Sequence, residues 1–224
     1  MNAVLFDFDG TLVDTEGQYT AFWAGVGKEY LPDIPDFAQL IKGNTLKKMY
    51  DTYFRGFDRE RLHRLDELRA EMERNMTFPL IPGAEAFVRE LRQRGVRTAI
   101  VTSSDRSKMQ NPRRRIPAFM SLFDEVLTAE DFRESKPSPE PYLTAAARLG
   151  VPASQTVIFE DAINGLRSAY STGMLTVALT TGNPPEVVAP LSHHVISDFR
   201  DVSYDTLDRW LRDFQREDPA SLQS

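Results

Sequence analysis

Two aspartates two residues apart, Asp7 and Asp9, open the segment Asp7-Phe8-Asp9-Gly10-Thr11-Leu12-Val13-Asp14-Thr15, just beyond the apolar run Val4–Phe6. Residues two apart on a strand face the same side, and at a strand's end both can line one crevice. Gly10 lets the chain turn sharply there. Gathering two carboxylates is costly unless a cation or a shared proton offsets their repulsion. A bare Asp-x-Asp-Gly is as compatible with a solvated turn as with this chemistry. The partners it finds elsewhere decide between the two.

Three further segments have the same layout. Thr98–Val101 runs into Thr102-Ser103-Ser104, whose hydroxyls and free N–H groups suit a phosphate or cap a helix. Lys136 sits in Ser135-Lys136-Pro137-Ser138-Pro139, either held by its prolines or simply on the surface. Val157–Phe159 ends in Glu160-Asp161, followed by Asn164-Gly165. Those acids are oxygen ligands suited to Mg²⁺, or first-turn acids complementing a helix dipole. Together the four segments supply a nucleophile, an acid/base, a phosphate clamp and a metal site. Each lies at the carboxyl end of a separate strand, where open parallel sheets bind ligands.

The elements that must position them are legible in the apolar pattern. Val4–Phe6, Thr98–Val101, Val126–Leu127, Val157–Phe159, Leu175–Leu179 and Val195–Ile196 read as short buried strands. Helical spacing separates most of them, as in Ala86, Phe87, Val88 and Leu91 before Gly95, and Tyr142, Leu143, Ala146 and Leu149 before Gly150. The expected fold class is α/β, a doubly wound Rossmann-like parallel sheet. Residues 15–80 interrupt it with three helical stripes: Tyr19, Phe22, Trp23 and Val26; Leu46, Met49, Tyr50 and Tyr53; Leu62, Leu65, Leu68 and Met72. The predicted organisation is a core of 1–14 and 81–224 with a helical cap inserted at 15–80.

Composition narrows the function. The 224 residues carry a formal net charge of −6, so the basic excess of a nucleic-acid binder is missing. No cysteine is present, which excludes disulfides and thiolate metal sites. No apolar run approaches the ~20 residues needed to span a bilayer, and the amino terminus lacks the pattern of a signal peptide. A cytoplasmic monomer that binds neither nucleic acid nor membrane is expected.

On these four segments the sequence resembles the haloacid dehalogenase superfamily, in the branch with a helical cap after the first strand and nearest its phosphatase and β-phosphoglucomutase-like group. The resemblance covers nearly the whole chain. It implies that Asp7 attacks phosphorus, and that Asp9 serves as acid and then base. Thr102 and Lys136 would grip the phosphoryl group, with Gly10, Ser103 and Ser104 beside them. Mg²⁺ would be held by the Asp7 carboxylate, the Asp9 main-chain carbonyl and Asp161, with Glu160 close behind. The substrate implied is a small phosphorylated metabolite, a sugar or polyol phosphate. Such chemistry is sound, because a cation and fixed donors stabilise charge spread over the phosphoryl oxygens.

In the cap the match is partial. Trp23 and the Lys42-Gly43 pair fit the mutase pattern, but Tyr19 replaces its histidine. Leu46 stands for its arginine and Met49 for its serine. An arginine there would hold a second phosphate bidentately. Hydrolysis is therefore expected over transfer to a sugar, with Tyr19, Trp23, Lys42 and Gly43 as the substrate-side residues. Phosphonate cleavage, which relatives perform with a cap lysine, conflicts with the intact Asp9. A signalling receiver domain would lack the cap, and an inactive binding protein would not retain Asp7, Asp9, Lys136 and Asp161. The Arg113–Arg115 run, between Pro112 and Pro117, reads as a solvated turn. His193 and His194 receive no role.

Overall fold

The computed structural model describes residues 1–41 and 46–217. The chain divides into two compact units, Met1–Asp14 with Phe78–Ser224, and Thr15–Thr77.

The first unit is built on six parallel strands: β1 (Ala3–Phe6), β2 (Arg97–Val101), β3 (Glu125–Leu127), β4 (Thr156–Glu160), β5 (Leu175–Leu179) and β6 (His194–Ile196). Their order across the sheet is β3-β2-β1-β4-β5-β6. Sequence order reverses on either side of β1, so a crevice opens beyond the carboxyl ends of β1 and its neighbours β2 and β4. In register, Phe6 pairs with Ile100 of β2 and with Phe159 of β4. Asp7, Val101 and Glu160 thus leave the sheet at one level.

Alternation along the strands separates two apolar faces. Leu5, Ala99, Val101 and Ile158 pack with Tyr142, Ala145, Ala146 and Ala169. On the other face Phe6 stacks on Phe159 at 5.3 Å, with Phe87 and Phe199 edge-on to Phe6. Both sheet faces are thereby covered, which explains why the central strands are continuously apolar.

The helices follow from the same pattern. The helical unit holds α1 (Glu16–Tyr30), α2 (Phe37–Leu40), α3 (Leu46–Tyr53) and α4 (Arg59–Asn75); the sheet unit holds α5 (Ala84–Gln93), α6 (Arg106–Arg115), α7 (Pro117–Met120), α8 (Glu140–Leu149), α9 (Ile163–Tyr170), α10 (Pro185–Val188) and α11 (Tyr204–Glu217). Gly150 caps α8 in the left-handed region at φ 67°, the conformation glycine adopts without a Cβ penalty. Helix α6 begins at Asp105, whose side chain accepts from the Lys108 N–H.

The Arg113–Arg115 run is not a turn but the last turn of α6, and Pro112 lies buried inside that helix. Cations are favoured at a helix carboxyl end, where the unsatisfied carbonyls lie. The two adjacent histidines are held by ring packing. His193 stacks on Tyr170 at 5.1 Å, and its Nδ1 accepts the Thr176 N–H at 2.9 Å. His194 stacks on Trp210 at 4.1 Å.

The helical unit has its own core. Trp23, Val26, Phe37, Ala38, Ile41, Met49, Phe54 and Leu65 are buried together, with Tyr19, Phe22, Tyr50 and Tyr53 packed against them. Each of the three predicted stripes contributes to this cluster. Among the described residues no helix is long and apolar enough to cross a membrane.

Candidate active site

Lys136 is the hub of the site. It comes from the loop between β3 and α8, yet its ammonium group reaches the ends of three strands. Nζ donates to Asp7 Oδ1 at 2.7 Å, to Glu160 Oε1 at 2.7 Å and to the Val101 carbonyl at 3.0 Å. Those three acceptors use all three of its protons. The side chain is 5% exposed, so the ion pairs are shielded from water.

Glu160 serves as the floor. Its Oε1 also accepts the Tyr142 hydroxyl at 3.1 Å, and Oε2 accepts the N–H groups of Asp161 and Ala162, each at 2.8 Å. Both carboxylate oxygens are therefore occupied by protein donors. Gly165 makes room for this carboxylate, since a Cβ there would lie 1.6 Å from Oε1. The ammonium of Lys136 lies 4.8 Å from the centre of the Tyr142 ring, within cation–π range.

Asp161 follows at once. Its Oδ1 accepts the Thr11 hydroxyl at 2.9 Å. Gly10, at φ 84°, turns the first loop against this carboxylate; a Cβ there would lie 2.2 Å from Asp161 Oδ2. Asp7, Glu160 and Asp161 each offer a carboxylate oxygen within 4.8 Å of the others, all buried.

The electrostatics of this cluster are unbalanced. Three carboxylates meet one buried lysine. Burial is the largest influence on Asp7, with Glu160 and Asp9 adding to it; against the pull of Lys136 they push Asp7 up to about 7. Asp161 is raised well above the carboxylate range by burial and then by Glu160 and Asp7. Burial works to lower Lys136, but the Asp7 and Glu160 carboxylates outweigh it and hold the ammonium charged. A divalent cation among buried oxygen donors would restore the balance, and hard carboxylate ligands are those Mg²⁺ prefers. The donor set thus fits a hard divalent cation such as Mg²⁺, which Asp7 and Asp161 would hold, Glu160 being already hydrogen-bonded through both oxygens.

Asp9 stands two residues further along the same loop. Its Oδ2 accepts from Lys108 Nζ at 2.9 Å and from the Ser104 hydroxyl at 3.1 Å. Thr102 is buried, and its hydroxyl oxygen accepts the Ser104 N–H at 3.1 Å, fixing the turn after β2. Ser103 is exposed.

The four sequence segments therefore meet at one sheet edge. Tyr19 and Trp23 belong to the helical unit, where Trp23 is 8% exposed among Phe22, Phe37 and Phe54. Lys42 and Gly43 lie outside the described residues. Several residues of the site carry no signal in the sequence. Lys108 follows the Asp105 cap on a mostly polar helix. Tyr142 sits on an apolar stripe and reads as core. Thr181 and Asn183, which donate to the Gly10 and Asp161 carbonyls, stand beyond β5 with no acid beside them.

A curated relative, validoxylamine A 7'-phosphate phosphatase of Streptomyces hygroscopicus subsp. limoneus, is 32% identical over 192 residues, covering 83% of this chain and 88% of the relative. The β-phosphoglucomutase of Bacillus subtilis is 26% identical, covering 82% of this chain and 85% of its own. The crystal structure of a family IA, variant 3 HAD hydrolase from Entamoeba histolytica shares the fold, with a TM-score of 0.82 and 24% identity over 95% of this chain and all of that one. A family model for haloacid dehalogenase-like hydrolases matches residues 1–173, a span that includes Asp7, Asp9, Thr102, Lys136, Glu160 and Asp161. On that match the chain belongs to the haloacid dehalogenase-like hydrolases.

Proposed function

We propose that the protein is a Mg²⁺-dependent phosphatase that hydrolyses a small phosphorylated metabolite, a sugar or polyol phosphate, through an aspartyl phosphate on Asp7. The observation that carries this reading is the buried group of Asp7, Glu160 and Asp161 with Lys136 paired to two of them. Relatives named as phosphatases of phosphorylated small molecules support it. Residues 15–77 are read as the cap that selects the substrate.

In the first half-reaction the Asp7 carboxylate attacks phosphorus, and the bond to the leaving oxygen breaks as the Asp7–phosphorus bond forms. Asp9 gives its proton to the leaving oxygen. Water then attacks the aspartyl phosphate and loses a proton to Asp9, which frees phosphate and restores Asp7. The Thr102 hydroxyl offers a donor to the phosphoryl oxygens, where charge spreads during transfer, and Lys136, its protons held by Asp7, Glu160 and the Val101 carbonyl, offers its positive charge beside them. Asp7, the Asp9 carbonyl and Asp161 would hold Mg²⁺, which when bound would supply positive charge to those oxygens. Glu160 keeps Lys136 in place and orients the Asp161 backbone.

The test is phosphate release from a panel of sugar phosphates, polyol phosphates and nucleotides. Release should require Mg²⁺, stop on chelation and vanish in Asp7→Asn. Undiminished release in excess EDTA would overturn the reading.

The similarity to a β-phosphoglucomutase favours a second reading, phosphoryl transfer back to a sugar. Leu46 and Met49 argue against it, since neither offers charge to a distal phosphate and Met49 is buried in the core of the helical unit. Supplying β-glucose 1-phosphate with a trace of glucose 1,6-bisphosphate separates the two. Inorganic phosphate should form faster than glucose 6-phosphate; the reverse would establish the mutase.

A further inference from the structure

Beyond β5 the chain turns through Thr180-Thr181-Gly182-Asn183 at the same sheet edge as the four motifs. Three features tie this turn to the site. The Thr181 hydroxyl donates a short hydrogen bond to the Gly10 carbonyl, 171 residues away in sequence. The Asn183 side-chain amide donates to the Asp161 carbonyl at 3.0 Å. Gly182 lies so close to Asp161 that a Cβ would stand 2.6 Å from Oδ2, with no other atom nearer than 3.7 Å. Gly182 has no positive φ, so space alone constrains a side chain there.

The consequence is geometric. Gly10 and Gly182 both come close to Oδ2 of the Asp161 carboxylate, while Thr11 holds Oδ1. The loop carrying Asp7 and Asp9 is gripped through Gly10, and the loop carrying Asp161 through Asn183. One short turn thus spans the two loops whose oxygens must share an ion. Holding such ligands at a set spacing is what makes an oxygen site discriminating for Mg²⁺, which demands near-ideal geometry.

We propose that Thr181-Gly182-Asn183 is a positioning loop of the metal site. It sets the distance between the Asp7–Gly10 turn and Asp161 without itself contacting the reacting atoms. This inference rests on the Mg²⁺-dependent reading above.

The experiment is calorimetric titration of Mg²⁺ into the full-length wild-type protein, Thr181→Val, Thr181→Ser and Gly182→Ala. Circular dichroism and the metal-free Tm are recorded beside it, with the Mg²⁺ concentration needed for half-maximal phosphate release as a second readout. Losing one neutral hydrogen bond predicts Mg²⁺ affinity weaker by ~3–10-fold in Thr181→Val. Thr181→Ser, which keeps the hydroxyl, should bind within ~2-fold of wild type on the same scale. Gly182→Ala should weaken binding by at least ~10-fold, as displaced metal supports do. In each variant the metal-free Tm should stay near that of wild type, and saturating Mg²⁺ should restore most of the turnover. Wild-type affinity in both Thr181→Val and Gly182→Ala would overturn the loop's role and leave the proposed function standing. So would a Thr181→Val loss that Thr181→Ser shares, or one explained by an unfolded chain. A wild-type protein that binds no Mg²⁺ and releases phosphate in EDTA would overturn both.

Discussion

Lys108 Nζ stands 2.9 Å from Asp9 Oδ2, the oxygen that also receives the Ser104 hydroxyl. The lysine lies on the first turns of α6 and the aspartate in the loop after β1, 99 residues apart. The pair holds the proposed acid/base carboxylate in one orientation beside Asp7.

Lys108→Met should loosen that orientation and so act on the step that needs it. We expect kcat to fall by ~10–100-fold with an alkyl phosphate, part of what a placed acid/base contributes. With p-nitrophenyl phosphate the loss should be several-fold smaller, because that leaving group needs no proton. Steady-state kinetics on both substrates checks this. Equal losses on the two would show that Lys108 acts elsewhere.

Asp7→Asn should abolish turnover and stabilise the metal-free protein. Burial, then Glu160 and Asp9, raise the folded-state pKa of Asp7 from 3.8 to about 7 despite Lys136. A carboxyl raised in this way contributes stability that is whole below the unfolded value and lost as pH rises through the folded one. The amide has no such loss. The Tm gap between variant and wild type in EDTA should therefore be small near pH 4 and widen towards pH 8. A gain of about 1–2 kcal/mol there corresponds to ~2–8 °C. Differential scanning calorimetry across that range is the check, and a gap that does not grow with pH would contradict the charge imbalance.

Tyr142→Phe should weaken the floor of the site. The buried hydroxyl donates to Glu160 Oε1 at 3.1 Å, and the ring lies under Lys136. Phenylalanine keeps the ring and loses one hydrogen bond to a charged group, worth about 1.5–3 kcal/mol. Urea unfolding should show that loss, with a modest fall in kcat as Glu160 and Lys136 relax. A variant as stable as wild type would mean that the hydroxyl does not support Glu160.

His193 should make the fold sensitive to mild acid. Its Nδ1 accepts the Thr176 N–H, which requires that nitrogen to carry no proton, and burial lowers its pKa below 6.5. A histidine depressed in the folded state contributes stability present above the unfolded pKa and lost as pH falls through the folded one. Unfolding free energy should decline as pH falls below about 6.5. His193→Gln should flatten that decline while lowering stability at pH 7.5. An unchanged slope in the variant would assign the acid sensitivity to other groups.

Much of this molecule is written locally. Val4–Phe6 and Val157–Phe159 are apolar runs ended by acids, and a buried strand with its carboxyl-end loop depends on neighbours in sequence alone. The stripes through Trp23, Met49 and Leu65 declare a separate helical unit for the same reason, since helical periodicity is a short-range property. The sequence alone therefore determined the strands, the helical insert and the four motifs. Only the tertiary structure decided which groups touch. Lys136 reaches Asp7 across 129 residues and Glu160 across 24, Lys108 reaches Asp9 across 99, and Thr181 reaches Gly10 across 171. These contacts follow from the order β3-β2-β1-β4-β5-β6, which puts distant loops at one edge. No local pattern records that order, because parallel pairing joins strands through crossovers and leaves the partner of each loop to the packing of the whole sheet.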